Sequence, residues 1–352
     1  MNSRPCGLAA VALAIALTTR AIPVASSDRP IDSLIQAERD FSAASIAHGM
    51  RSAFLANLGE DAVIFRPGPI NGMQSWKSRA EVPGRLEWAP EFVELSGAED
   101  LGFSIGPWEY RVSAEAKEAE HGHFLTVWRR DPHGAWKVAL DCGISHPPGG
   151  RGPRDVEVIE GPFHAPPDTN AWRQGNLQMG VAGSAGGVSA GGGTGGFGIS
   201  FGGGGIGFGV GSHTPVYRSP LDYEQERTSH ERNNLLTADR ALDWNARKSG
   251  WEHAYVAVAA NDLRFLRDGA EPALGLDAVA EASASRSRDL TWSYRGNGLS
   301  KSWDLGYVYG TVIARTKGKS RPDTSAFVHL FRTDEGGKWR MTADWEQPFS
   351  KR

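Results

Sequence analysis

Residues 124–141 read FLTVWRRDPHGAWKVALD, and residues 327–344 read FVHLFRTDEGGKWRMTAD. In each, alternating apolar runs flank a short turn, Asp131-Pro132-His133-Gly134 in one and Asp334-Glu335-Gly336-Gly337 in the other. Period-two alternation on both sides of turn residues is the pattern of an antiparallel hairpin. Trp128, Asp131, Gly134, Trp136 and Asp141 recur as Phe331, Asp334, Gly337, Trp339 and Asp344. The same hairpin twice in one chain signals an internal repeat.

The repeat extends upstream in the same order. Leu101, Phe103 and Ile105 alternate with Gly102, Ser104 and Gly106, as Leu305, Tyr307 and Tyr309 do with Gly306, Val308 and Gly310. Leu86 and Trp88 match Leu290 and Trp292; Asp61, Phe65, Arg66 and Gly68 match Asp262, Leu266, Arg267 and Gly269. Leu34, Ile35, Ala37, Glu38, Arg39 and Phe41 match Leu235, Leu236, Ala238, Asp239, Arg240 and Leu242. Each copy therefore opens with a helix. Ile31, Leu34, Ile35 and Phe41 stand at helical spacing behind Asp28 and Pro30, while Ser219-Pro220 marks an earlier start in the second copy. Short apolar stretches follow, Ala62 to Phe65 and Leu263 to Leu266, and then the strands. The fold class is α+β, in two copies.

The closing hairpin R-x-D-x-x-G-x-W followed by Asp, with the Leu-Gly-x-x-x-Gly strand before it, resembles the NTF2-like superfamily, in particular its SnoaL-like and ketosteroid-isomerase-like domains of unknown function. The likeness rests on 101–106 and 134–137 in the first copy and on 305–310 and 337–340 in the second. It implies two cone-shaped domains, each a curved antiparallel sheet packed on N-terminal helices around an apolar cavity. It also implies sheet-to-sheet pairing, within this chain or as a homodimer. The organisation expected is 31–147 for the first cone, 148–219 for a Pro/Gly-rich linker and 220–350 for the second.

The linker is a different material. Residues 175–211 hold 18 of the 44 glycines and few charges, too little side chain to offset the entropy of ordering. Phe197, Ile199 and Phe201, then Ile206, Phe208 and Val210, still alternate with Gly or Ser, so a flexible tether and a glycine-rich strand pair are both open. At the N-terminus, Arg4, the apolar run Leu8 to Leu17 and the small residues Val24-Ala25-Ser26 read as a signal peptide over 1–26. The run is too short to span a bilayer, so no membrane span is expected after its removal, and the compartment expected is periplasmic or secreted. Cys142 is then the sole cysteine, which excludes an internal disulfide and a two-cysteine metal site. A formal net charge of −3, from 38 basic and 41 acidic residues, gives no reason to expect nucleic acid as a partner.

The chemistry is less marked than the fold. Asp141 and Asp344 hold equivalent places late in the closing strands and are candidate proton acceptors, with His123 and His329 as candidate bases. Simple alternation puts Asp141 on the face opposite Trp136, Val138 and Leu140, which would turn it from the core. Trp88, Trp292, Trp303, Tyr307 and Tyr309, with Arg66 and Arg267, are candidates for lining a ligand pocket, although aromatics at strand spacing also serve as plain core. His121 and His123 form an H-x-H pair with no third ligand in evidence, so neither a metal nor a cofactor is expected. The donor tyrosine that a ketosteroid-isomerase resemblance implies on the first helix is absent, Phe41 and Leu242 or Trp244 standing there. The expected function is binding of a small apolar or amphipathic molecule. The alternatives are an isomerase, cyclase or hydrolase of SnoaL-like type, and a noncatalytic interaction module.

Overall fold

The computed structural model describes residues 29–113, 115–149, 155–161, 199–202, 205–208, 220–316, 318 and 320–349. The expected signal segment 1–26 and most of the expected linker lie outside them. The first copy opens with α1 (Pro30–His48) and α2 (Met50–Asn57), followed by β1 (Leu58–Phe65), β2 (Pro69–Asn71) and α3 (Gly72–Lys77). Its other strands are β3 (Arg85–Trp88), β4 (Phe92–Leu95), β5 (Leu101–Arg111), β6 (Glu120–Arg130), β7 (Trp136–Ser145) and β8 (Glu157–Glu160). They pair in the order β2-β1-β7-β6-β5-β4-β8, with β3 also on β5. The β1/β7 and β4/β8 ladders are parallel and the others antiparallel. In the glycine-rich segment, β9 (Ile199–Gly202) and β10 (Gly205–Phe208) pair antiparallel.

The second copy repeats this plan. It has α4 (Pro220–Ser249), α5 (Trp251–Val258), β11 (Ala259–Arg267), β12 (Ala273–Leu274), α6 (Leu276–Ser283), β13 (Leu290–Leu299), β14 (Leu305–Ala314), β15 (Asp323–Thr333) and β16 (Trp339–Pro348). The sheet order is β12-β11-β16-β15-β14-β13. One strand, β13, does here what β3 and β4 do in the first copy. There Pro90, which has no N–H to give a ladder, falls between the two strands.

The local causes are repeated as well. In α1, Ile31, Leu34, Ile35, Glu38, Phe41, Ser42 and Ser45 form the buried stripe; in α4, Leu235, Asp239, Leu242 and Ala246 do. Arg29 occupies the N-cap of α1, with Asp32 closing a capping box and Pro30 at the first helical position. Gly49 and Gly250, at φ +84° and +95°, turn the chain from the first helix into the second, a conformation open to residues lacking Cβ. The motif glycines answer to close approach. A Cβ on Gly102 would lie 2.5 Å from Leu34 Cδ2 and 2.8 Å from Glu94 O, and one on Gly306 would lie 2.9 Å from Leu235 Cδ2.

Each closing strand carries a β-bulge at the same place. Val127 faces Leu140 while Trp128 faces Val138, leaving Ala139 extra; Leu330 faces Ala343 while Phe331 faces Met341, leaving Thr342 extra. An extra residue shifts the alternation by one. Trp136 and Val138 face the first cone's interior, whereas Leu140, Cys142 and Ile144 face outward. Asp141 therefore points inward, against the expectation from simple alternation, and Asp344 does the same in the second cone.

The outward faces of the two sheets pack on each other. Phe103, Leu125, Val127 and Leu140 share one apolar cluster with Leu305, Val328, Leu330 and Trp345. The polar edge contacts are reciprocal: Gly97 N donates to Asp304 (2.8 Å), and Lys301 N donates to Asp100 (3.2 Å). Those four residues are equivalent in pairs across the repeat, which is the mark of a twofold, self-complementary contact. Inside the same layer, Glu94 accepts from Arg332 (3.2 Å) and Thr342 (3.0 Å), and Arg332 also reaches Asp262 (2.5 Å). Burial pushes the Glu94 carboxyl up to about 7 in spite of the Arg332 charge.

Candidate functional site

Because the bulge turns β16, its inward row runs Glu346, Asp344, Met341, beside the β15 row Phe327, His329, Phe331. Helix α4 brings Asp239 beneath this sheet, α5 brings Tyr255, β11 brings Arg267, and the loop after α6 brings Arg286. The result is a connected polar network in an apolar shell. His329 Nδ1 lies 2.6 Å from Asp239 Oδ1; Tyr255 OH donates to Asp344 Oδ2 at 2.6 Å. Arg267 Nη2 donates to Asp344 Oδ1 at 2.7 Å, Arg286 Nη1 donates to Tyr255 OH at 3.1 Å, and Arg286 also pairs with Glu346. Trp292 packs against the His329 ring at 5.4 Å between centroids.

Electrostatics follow from this arrangement. Burial alone would raise the Asp344 carboxyl, but the charges of Arg267, His329 and Arg286 outweigh it and bring it down to about 2. Burial, and next the Asp344 carboxylate, push the Tyr255 hydroxyl up, so it stays a neutral donor. Tyr294 is pushed up in the same way, by burial and then by Asp239, with which it shares a hydrogen bond.

A cleft of about 930 Å³ opens over the outer end of this network. Arg267, Arg286 and Glu346 form its polar inner wall, and Phe265, Leu290 and Phe349 are among its apolar lining. The first copy contributes Ser145, whose backbone N–H donates to Asp268 at 2.9 Å. Mixed walls of this size suit a small molecule with both apolar and polar parts.

The first cone carries a different set of groups at the same positions. Glu38, fully buried, accepts from Trp88 Nε1 (2.5 Å), Trp128 Nε1 (2.7 Å) and the Ser104 hydroxyl. Burial outweighs those three donors and raises its carboxyl. Asp141, partly buried, accepts from Thr126 at 3.0 Å; burial, with Glu38 adding to it, pushes it up to about 7. Across the repeat, Thr126 stands for His329, Phe54 for Tyr255 and Glu38 for Asp239. Arg66, the counterpart of Arg267, is exposed.

Of the residues singled out in the sequence, Asp344, His329, Arg267 and Trp292 meet in the second cone, and Asp141 and Trp88 lie in the first. The others fall elsewhere. Tyr307 and Tyr309 belong to the layer between the sheets, where Tyr309 packs on Phe65. Trp303 sits in a tight turn at φ +56°, its indole donating to Thr228 at 3.1 Å. His123, near the start of β6, lies 2.7 Å from His146, on the strand face opposite Thr126. Among the described residues, no group of three or more His, Cys, Asp or Glu could hold a metal ion. Glu38, Asp239, Thr126, Tyr255, Arg286 and Glu346 were not legible as site residues. The available signal for two of them was a carboxylate at the same place in both buried helical stripes.

No protein-family model and no curated protein sequence matches the chain. Solved structures do match. One is a ketosteroid isomerase-like protein from Erwinia carotovora atroseptica, 18% identical over 34% of this chain and 96% of its own, at a TM-score of 0.30. A second is an NTF2-like protein of unknown function from Shewanella oneidensis, 16% identical over 33% and 98%, at 0.28. A third is an NTF2-like protein with a cystatin-like fold from Novosphingobium aromaticivorans, 15% identical over 38% and 93%, at 0.31. Each of the three covers about a third of this chain and nearly all of its own. Among the described residues, no helix is long and apolar enough to cross a membrane.

Proposed function

We propose that this is an exported protein in which two NTF2-like cones pair within one chain and the second cone takes up a small amphipathic molecule. The observation that carries the reading is the cleft over Arg267, Arg286 and Glu346, where apolar walls meet a set of fixed polar groups. The guanidiniums are held by Asp344 and Glu346, so they offer directed N–H donors at little net charge. A ligand with an apolar body and a hydroxyl, carbonyl or carboxyl end fits that lining better than a wholly apolar or a polyanionic one. Export rests on the N-terminal sequence, and intrachain pairing on the reciprocal contacts of Asp100 and Asp304.

The experiment is native mass spectrometry of the mature protein purified from its own compartment, beside Leu290→Trp, which puts an indole into the cleft. The expected result is a monomer carrying one small molecule that the variant releases. A protein that is empty in both forms argues against ligand uptake, and a dimer argues against pairing within the chain.

A further inference from the structure

The two sheets differ at one edge. In the first copy β8 pairs parallel with β4, so that Glu157 and Ile159 stand opposite Phe92 and Glu94. Glu157 N donates to Glu91 O (2.9 Å) and Gly161 N to Leu95 O (2.8 Å). Residues 92–95 are all buried. The repeat places Gly296 to Leu299 of β13 at the same position in the second copy, and these four are half-buried. Among the described residues, no strand pairs with the outer edge of β13. Ser300 N donates to Leu305 O at 2.9 Å, and ladder bonds alternate along an antiparallel pair. Gly296 and Gly298 therefore bond β14, while the N–H and C=O groups of Asn297 and Leu299 point outward. Unpaired edge groups of that kind are a template for another strand.

The surroundings of the two edges say what strand would fit. On the covered edge, Arg264 Nη2 pairs with Glu157 at 2.8 Å and its guanidinium lies over the Phe92 ring, while Ile159 packs into the layer between the sheets. Glu94 there joins the Arg332–Asp262 pair as a second carboxylate. The open edge changes each of these. Val63 stands for Arg264, Gly296 for Phe92 and Gly298 for Glu94. The stacked rings of Tyr307 and Tyr309 lie against Gly298 and Gly296, where an added Cβ would collide with them. Arg129 and Asp61, the counterparts of Arg332 and Asp262, form an exposed pair at 2.7 Å near Tyr307, and Gly298 supplies no carboxylate to it. The pattern is inverted: the place of Glu157 meets an apolar side chain, and the place of Ile159 meets a cation.

We propose that the outer edge of β13 is a docking site for an extended peptide, which adds to the second sheet as β8 adds to the first. The peptide runs in the direction of β8 and exchanges main-chain bonds with Asn297 and Leu299. It carries an apolar residue opposite Gly296 and an acid opposite Gly298. The apolar side chain rests on Tyr309 and Val63, and the acid reaches Arg129. Main-chain bonds supply affinity and the apolar-x-acid pair supplies specificity. The site lies at the far end of β13 from Leu290, which lines the cleft, and does not depend on ligand uptake there.

The probes are the peptide acetyl-TTVTETT-amide and the same peptide with Gln in place of Glu, each titrated into the isotope-labelled mature protein while its backbone amide resonances are followed. In the free protein the Asn297 and Leu299 amides should exchange readily with solvent. The Glu peptide should shift those resonances to saturation, and the Gln peptide should bind about fivefold more weakly. Arg129→Gln should erase that preference. Asn297→Pro, which removes an outward N–H that β14 does not use, should abolish binding at an unchanged melting temperature. Slow exchange of the two amides in the free protein would mean that this chain already covers the edge, and shifts produced by raising protein concentration alone would make a second copy the occupant. Either result, or peptide binding that is absent, indifferent to the acid, or kept by Asn297→Pro, would overturn the proposal.

Discussion

Glu94 gives the sharpest test of how the two cones are joined. It belongs to the first copy, yet its carboxyl is fully buried against Arg332 and Thr342 of the second. Burial raises it from 4.5 to about 7. An acid whose folded-state pKa lies above its unfolded value favours folding while it is protonated. That contribution is present at low pH and disappears as pH rises from the unfolded value through the folded one. At about 1.4 kcal/mol per pH unit, Glu94 should cost the wild type about 2.5 kcal/mol of stability between pH 5 and pH 8. Glu94→Gln keeps an acceptor for Thr342 and removes the titration. Urea unfolding of both proteins at pH 5 and pH 8 then reads the difference of differences, in which the fixed cost of the substitution cancels. The variant should gain about 2.5 kcal/mol relative to wild type over that range. If the two proteins change in parallel with pH, Glu94 is not buried between the cones and the packing described is wrong.

Other consequences follow from the repeat and from the second cone. Gly102→Ala should destabilise by about 1–3 kcal/mol through overpacking, more than Gly306→Ala, because its added Cβ comes closer to the helix side chain; chemical denaturation of the two variants checks the order. Asp344→Asn should cost about 3–5 kcal/mol at pH 7 by leaving buried guanidinium charge uncompensated. Since Asp344 is held down at about 2, its own contribution is present above pH 3.8 and lost as pH falls toward 2, so wild type and variant should converge in acid. Deleting residues 1–26 should leave the protein in the cytoplasm of an expressing bacterium, which fractionation of the periplasm reads directly.

The elements that a sequence shows best are those with local causes. The hairpin turns at Asp131 and Asp334, the amphipathic stripes of α1 and α4, and the motif glycines all answer to neighbours a few residues away or to a simple period. Repetition made them more secure, since each copy checked the other. The sites needed information that no period carries. A single extra residue at Ala139 and at Thr342 reverses which face Asp141 and Asp344 present, and the strand sequence alone does not mark the bulge. Tyr307 and Tyr309 alternate like cavity residues but lie between the sheets, because both faces of a paired sheet are buried and aromatics suit either. Asp239 and Tyr255 were hidden for another reason: a carboxylate or hydroxyl inside an apolar helical stripe declares itself only once the strand opposite, with His329 or Asp344, is in place.

The central claim, that the second cone is the one built to hold a small molecule, is tested most directly by a crystal structure of the mature protein purified from its own compartment. The account predicts density for an organic molecule in the cleft beside Arg267, Arg286 and Glu346, with the interior of the first cone closed around Glu38. Solvent alone in that cleft together with a bound molecule beside Asp141 would contradict it and move the site to the first cone.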